Sequence, residues 1–198
     1  MEDQRRVDLA MARRITPRNK RGTAKRTERK GAAAGKGFAA VGTGLRYDRR
    51  PKADADCACG SGKAYGECCS AAHEALKASD AAELVRARYS AYCYRLPDFL
   101  IETTDPQGEE WRTDVKAWKK ELLQFSDEID FQSFAAEEAA EAAANAQGEA
   151  CVSVPFRATF LKKGTINIMD LCETSTLVQR DASWLYARGE VSYDSPKQ

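Results

Sequence analysis

The sequence predicts an α+β protein in which about three helices precede a meander of antiparallel strands. Three observations carry this reading. Apolar residues recur at helical spacing between residues 80 and 123. From Val152 onward they alternate with polar ones, the period of a half-buried strand. Turn signals such as Lys162-Lys163-Gly164 then break the alternating region into hairpins, and helices followed by hairpins are the order of α+β folds.

Taken in order, residues 1–50 form a basic arm. They hold 15 Lys/Arg against 5 Asp/Glu in a chain whose net charge is +1, so the remainder is acidic. The arm has few large apolar residues to offset ordering entropy, and it reads as disordered. A solvated tail is the bland interpretation. The alternatives are an organelle targeting segment, a contact to nucleic-acid phosphates through residues 13–30, and a nuclear-import-like cluster. No apolar run of about 18 residues exists to form a membrane-spanning helix, and no signal-peptide core follows Met1. Clustered cysteines without a secretion signal place the chain in an intracellular, reducing compartment: the cytoplasm, or a plastid or mitochondrion if the arm is an import signal.

Residues 51–75 carry the cysteine cluster, and residues 76–195 the larger domain. Ser79 or Asp80 caps a helix running to about Tyr94, with Glu83 placed for a capping box. Pro97 opens a short helix to Thr103, and Trp111–Leu123 reads as a third, with Trp111, Val115, Trp118 and Leu122 on one stripe. Phe131–Phe134 belongs to a first strand. Val152–Phe160 is a second, where Pro155 implies an edge or a bulge. Ile166–Gln179 and Trp184–Val191 complete the meander. The Ala/Glu-rich segment 135–149 is either a hairpin extension or an inserted helical loop. Trp111, Trp118, Trp184, Tyr89 and Tyr186 read as core rather than as a base-stacking platform.

Four of seven cysteines fall within Cys57-Ala58-Cys59-Gly60-Ser61-Gly62-Lys63-Ala64-Tyr65-Gly66-Glu67-Cys68-Cys69. Cys57, Cys59, Cys68 and Cys69 together offer four thiolates, the donor set of a closed, structural zinc site. A disulfide between adjacent cysteines is strained, which favours a metal. His73, the only histidine, is read as an exposed residue flanking a helix, with substitution as a ligand the alternative. Cys93, Cys151 and Cys172 read as buried free thiols.

This cysteine run resembles the SEC-C zinc motif, Cys-x-Cys-Gly-Ser-Gly-Lys-x-Tyr followed by Cys-Cys or Cys-His. The same motif ends the translocase motor SecA, where it binds a chaperone and the ribosome. Further on, Leu84, Arg86, Arg88, Tyr89, Ser90, Ala91 and Tyr92, then Glu173–Leu177, then Trp184-x-Tyr186-x-x-Gly189, resemble the middle domain of the YchJ family. That resemblance implies a nuclear transport factor 2-like (cystatin-like) cone of curved sheet and helices behind a zinc knuckle. A family Trp-His-Pro stands here as Thr104-Asp105-Pro106, without its histidine.

Two kinds of function follow. The resemblance implies one structural zinc ion and a docking adaptor for protein or ribosome, with the knuckle as a rigid projecting knob and the cone as a second surface or dimerising unit. The alternative is an isomerase-, hydrolase- or dehydratase-like enzyme with a pocket in the cone. In the alternating register Met169, Leu171, Glu173, Ser175 and Leu177 share one face, so Glu173 would be a carboxylate among apolar neighbours with a raised pKa. Arg86 or Arg88 would pair with it across the cone, and Tyr89 and Tyr186 complete the candidate pocket. A structural Arg–Glu lock is the preferred account of that pair.

Overall fold

The computed structural model describes residues 48–166 and 168–192. All but the last three residues of the basic arm lie outside them, and with it the targeting and nucleic-acid readings. A short hairpin comes first, closed by a bridge between Asp56 and Ala64. A single 3₁₀ turn, Tyr65–Glu67, leads into helix α1, Ser70–Ala75. Helices α2 (Ala81–Tyr94), α3 (Pro97–Glu102) and α4 (Val115–Glu128) follow. The strands are β1 (Ile129–Ala136), β2 (Ala143–Ala144), β3 (Ala150–Lys162), β4 (Ile168–Arg180) and β5 (Ser183–Ser192). They form one antiparallel sheet in the order β1-β3-β4-β5, with β2 a two-residue addition to β3.

Helix α2 is the centre of the molecule. The Asp80 carboxylate accepts from the Glu83 N–H at 2.8 Å, satisfying a donor that the helix start leaves open. The reciprocal half of a capping box is replaced, because the Ser79 hydroxyl engages the Glu83 carboxylate. Nine of the helix's 14 residues are buried, among them Arg88 and Ser90. A helix buried so fully needs partners on every side. It has the sheet on one face, α3 and α4 on another, and the cysteine segment on a third.

The sheet follows the alternation predicted from the sequence. Val152, Val154, Ala158 and Phe160 on β3, and Leu171, Glu173, Ser175 and Leu177 on β4, all face inward. Cys172 and Cys151 fall on intervening positions, so these free thiols are half-buried rather than fully buried, as is Cys93 on α2. Pro155 sits in an internal strand without a bulge, paired with Thr174. Its carbonyl accepts from the Glu137 N–H, beyond the last residue of β1. The missing proline N–H therefore falls where the neighbouring ladder has ended, and the strand tolerates it.

One helix start differs from expectation, and the alternative left open at 135–149 is decided against a helix. Helix α4 begins at Val115, because the Asp114 carboxylate accepts from the Ala117 N–H and sets the start there. Trp111 stays in the preceding loop and meets Trp118 edge to face at 5.6 Å. Segment 137–149 contains no helix; it extends the β1–β3 connection, with the Glu137 and Ala140 N–H groups bonded to Pro155 and Ser153 carbonyls. Its alanines and glutamates are nearly all exposed, so no apolar stripe exists to hold a helix against the body.

The cysteine segment does not project. Cys57, Cys59, Tyr65, Cys69 and Ala72 belong to the same buried core as α2 and the sheet. Gly60, at φ +75°, lies so close to β1 that a Cβ there would stand 2.3 Å from the Phe134 carbonyl oxygen. Only glycine combines that backbone conformation with that approach. Replacing Gly60 by Ala should therefore shift the urea midpoint of the whole body downward, by about 1–3 kcal/mol in stability. An unchanged midpoint would mean that the segment and the sheet are not packed together.

Candidate metal centre and cone cavity

The hairpin and the 3₁₀ turn bring the four predicted sulfurs into one place. The Cys57 N–H bonds to the Lys63 carbonyl, closing the first turn, and the Cys68 N–H bonds to Tyr65, closing the second. The ligand atoms of Cys57, Cys59, Cys68 and Cys69 all lie within 4.8 Å of one another. Cys59 and Cys68 sulfurs are 3.4 Å apart and Cys68 and Cys69 sulfurs 3.7 Å, far beyond a disulfide bond. A tetrahedral zinc thiolate with Zn–S near 2.3 Å has sulfur–sulfur edges of about 3.8 Å. The residues present fit such an ion.

Electrostatics point the same way. Hydrogen bonds from the Cys59 and Cys69 thiols push Cys57 down to about 3. Contacts with the Cys57 and Cys59 thiols, with burial, push Cys69 far up. A thiolate formed in this space disfavours a second beside it, and a cation among them would offset that repulsion. Three sulfurs are buried, while Cys68 is half-exposed and within 3.2 Å of the Ser61 hydroxyl. The surrounding Gly60, Ser61, Gly62, Lys63 and Glu67 are exposed. A groove beside the cluster continues past Asp80, Glu83 and Arg86 to Ala135 and Ala136.

His73 is neither exposed nor a ligand. Its Nε2 lies 2.9 Å from the Ala87 carbonyl of α2, and its Nδ1 lies 3.0 Å from the Tyr65 hydroxyl. A carbonyl only accepts, so Nε2 carries the hydrogen and Nδ1 accepts from Tyr65. Both ring nitrogens are spent on clasping the motif tyrosine to the central helix. The Tyr94 hydroxyl adds a second clasp by accepting from the Ala58 N–H at 2.7 Å. Spacing alone marked His73 only as a residue near the cysteines; its lack of any exposed surface depends on α1 turning it under α2.

A small cavity of about 40 Å³ lies between α2 and the concave face of the sheet. Arg88, Tyr89, Glu173 and Tyr186 line it, with Ser175 beside them and Val85, Tyr92, Phe134 and Phe156 as apolar wall. Arg86 does not. Two residues apart on a helix, Arg86 and Arg88 face nearly opposite ways, and Arg86 lines the groove at the cysteines. The Arg88 Nη1 donates to the Leu100 carbonyl and to the Thr103 and Thr104 hydroxyls, capping the end of α3. Its guanidinium lies over the Tyr186 ring, 4.4 Å from the centroid. Glu173 Oε1 accepts from the Tyr186 and Ser175 hydroxyls, both at 3.1 Å. Gly189 makes room for this pair: a Cβ there would stand 2.2 Å from Oε1. Tyr89 donates to the Ser133 carbonyl and stacks on Phe134, centroids 4.4 Å apart. Asp105, where the resembled family has histidine, is buried and holds Arg180 through paired bonds of 3.0 and 3.1 Å. Arg180 also bonds Glu149.

Residues 80–189 match the family described as "YchJ, middle NTF2-like domain". The chain belongs to the YchJ family. A UPF0225 protein of Photorhabdus laumondii is 43% identical over 63 residues, 30% of this chain and 40% of its own length. One from Bordetella pertussis is 27% identical over 146 residues, covering 72% of this chain and 98% of its own. The solution structure of a SEC-C motif containing protein from Rhodopseudomonas palustris superposes with a TM-score of 0.56 at 27% identity. That match covers 70% of this chain and 100% of the other. The YchJ fold is thus the α+β, nuclear transport factor 2-like cone expected from the sequence. These relatives are bacterial, and they lend no support to an organelle import signal. Among the described residues no helix is long and apolar enough to cross a membrane.

Burial pushes His73 down to about 4 from the usual 6.5, assisted by the charge of Arg50. The unfolded chain then binds the extra proton between those values, so stability falls as pH drops. The contribution is complete above about pH 6.5 and lost on approaching pH 4, a span of about 3 kcal/mol. In acid titrations of urea unfolding, His73→Gln should show a shallower fall than the parent over that window. Cysteine protonation is common to both proteins and cancels in the difference; parallel curves would show that His73 is not buried neutral.

Proposed function

We propose that this YchJ protein is a zinc-carrying docking adaptor. Cys57, Cys59, Cys68 and Cys69 hold one structural Zn²⁺, and the exposed rim around them engages a protein or the ribosome. The observation carrying this reading is the contrast within one short segment. Its sulfurs are drawn together against the core, while Ser61, Gly62, Lys63 and Glu67 remain on the surface beside an open groove. A rim held so firmly loses little conformational entropy on binding. That the structural relative from Rhodopseudomonas palustris is a SEC-C motif containing protein supports this reading. With all four positions protein sulfur, the ion has a structural rather than a catalytic part.

Two measurements test the reading. Elemental analysis should give one zinc per chain, and a chelator should lower a single melting transition of the whole body, since the site shares its core. Two separate transitions, with the later one unmoved, would instead make the motif an independent unit. For docking, co-sedimentation with purified ribosomes and pull-down with defined ribosomal or chaperone proteins should weaken at least tenfold for a Lys63→Glu, Glu67→Lys double variant whose melting is unchanged. Equal binding by parent and variant would remove the rim from the interface.

A further inference from the structure

We propose that Cys68 and Cys59 are an oxidisable thiol pair, which a hydroperoxide closes into a disulfide, freeing the metal ion. This inference rests on the zinc reading of the site and adds a regulation to it. The four sulfurs are not equally reachable. Cys57, Cys59 and Cys69 are 6%, 2% and 1% exposed, whereas Cys68 is half-exposed and borders the open groove. The loop against it is small and exposed: Gly60, Ser61 and Gly62, with the Ser61 hydroxyl 3.2 Å from the Cys68 sulfur. A Cβ added at Gly62 would meet nothing within 4 Å. A small oxidant therefore meets Cys68 first. Two thiols lie close enough to answer it, Cys59 at 3.4 Å and Cys69 at 3.7 Å. A bridge between the neighbours Cys68 and Cys69 is strained. Cys59 and Cys68 are instead joined by a turn of eight residues. Their sulfurs need only close from 3.4 Å to a bond of about 2.05 Å.

The chemistry balances with the peroxide as oxidant. The Cys68 thiolate attacks one peroxide oxygen; a sulfur–oxygen bond forms, the oxygen–oxygen bond breaks, and hydroxide leaves. The Cys59 thiolate then attacks the Cys68 sulfur; the disulfide forms, the sulfur–oxygen bond breaks, and a second hydroxide leaves. Solvent protons turn both into water. The two sulfurs give up two electrons in all, and the peroxide takes them. A disulfide offers no thiolate, so Cys57 and Cys69 alone remain, half the set of a closed site. Cys59 also leads directly into Gly60, which packs on the Phe134 carbonyl, so the same event reaches strand β1. In a reducing compartment a disulfide of this kind is transient, as a sensor requires.

To test it, the full chain is loaded with zinc, its metal content is measured, and hydrogen peroxide is added in small excess. Zinc release is followed with a colorimetric chelator, and disulfides are mapped by the fragment masses of alkylated peptides. One zinc should leave for each Cys59–Cys68 disulfide formed, and dithiothreitol should restore both thiols. Dimedone, which traps sulfenic acid, should mark Cys68, and should mark it about fivefold more in Cys59→Ser, where no partner thiol resolves it. If that variant does not fold, the disulfide map of the parent decides. A first disulfide between any other pair, Cys68 driven to sulfinic acid without a disulfide, or equal dimedone labelling of parent and variant would overturn the proposal. A chain that purifies and reconstitutes without zinc would count against the zinc reading; the same map on the metal-free protein still shows which pair closes.

Discussion

Helix α2 has no fully exposed residue, and the rest of the molecule is arranged to meet that constraint. Fourteen residues with nine buried cannot be covered by a single sheet. The sheet takes one side, α3 and α4 another, and the cysteine segment the third. The His73 imidazole seals the third contact by bonding directly to a carbonyl of α2. A segment of this length has little apolar surface of its own. It borrows a core from the helix, and the helix in turn gains a lid.

The buried charges obey the same economy. Taking a guanidinium out of water is costly unless its donors are satisfied. Arg88 meets this by closing the carbonyl end of α3. The half-buried Arg180 is held by two carboxylates, Asp105 and Glu149. Both arginines therefore act on the stretch where α3 gives way to the loop at Thr104. There the Tyr186 N–H bonds to Thr103 and the Asp105 N–H bonds back to Tyr186, tying the loop to β5. In place of the family's histidine, Asp105 works as an anchor for the β4–β5 end of the sheet.

Much of this was legible in the residues because local chemistry dictated it. The cysteine cluster could be read from Cys57 to Cys69 because a small site needs its members close in sequence. The inward face of β4 could be read because strand alternation leaves only two choices, and one places Leu171 and Leu177 outside. What escaped depends on contacts between elements. His73 looked polar and peripheral, yet a six-residue helix without its own cap carries it beneath α2. Arg86 and Arg88 looked interchangeable until the helix's rotation separated them. Segment 137–149 has helical composition but no surface to pack on, and propensity alone does not sustain a helix.

The contact of Gly60 with Phe134 has a consequence for solubility. In the register of β1 with β3, the Glu137–Pro155 bond places Phe134's peptide groups on the outer side of β1. That side is an open sheet margin, the kind of backbone row that recruits a second chain. The cysteine loop lies across it. Loss of the loop's order would uncover a strand ready to pair with its counterpart in another molecule. The cysteine segment is therefore also a guard against self-association along this margin.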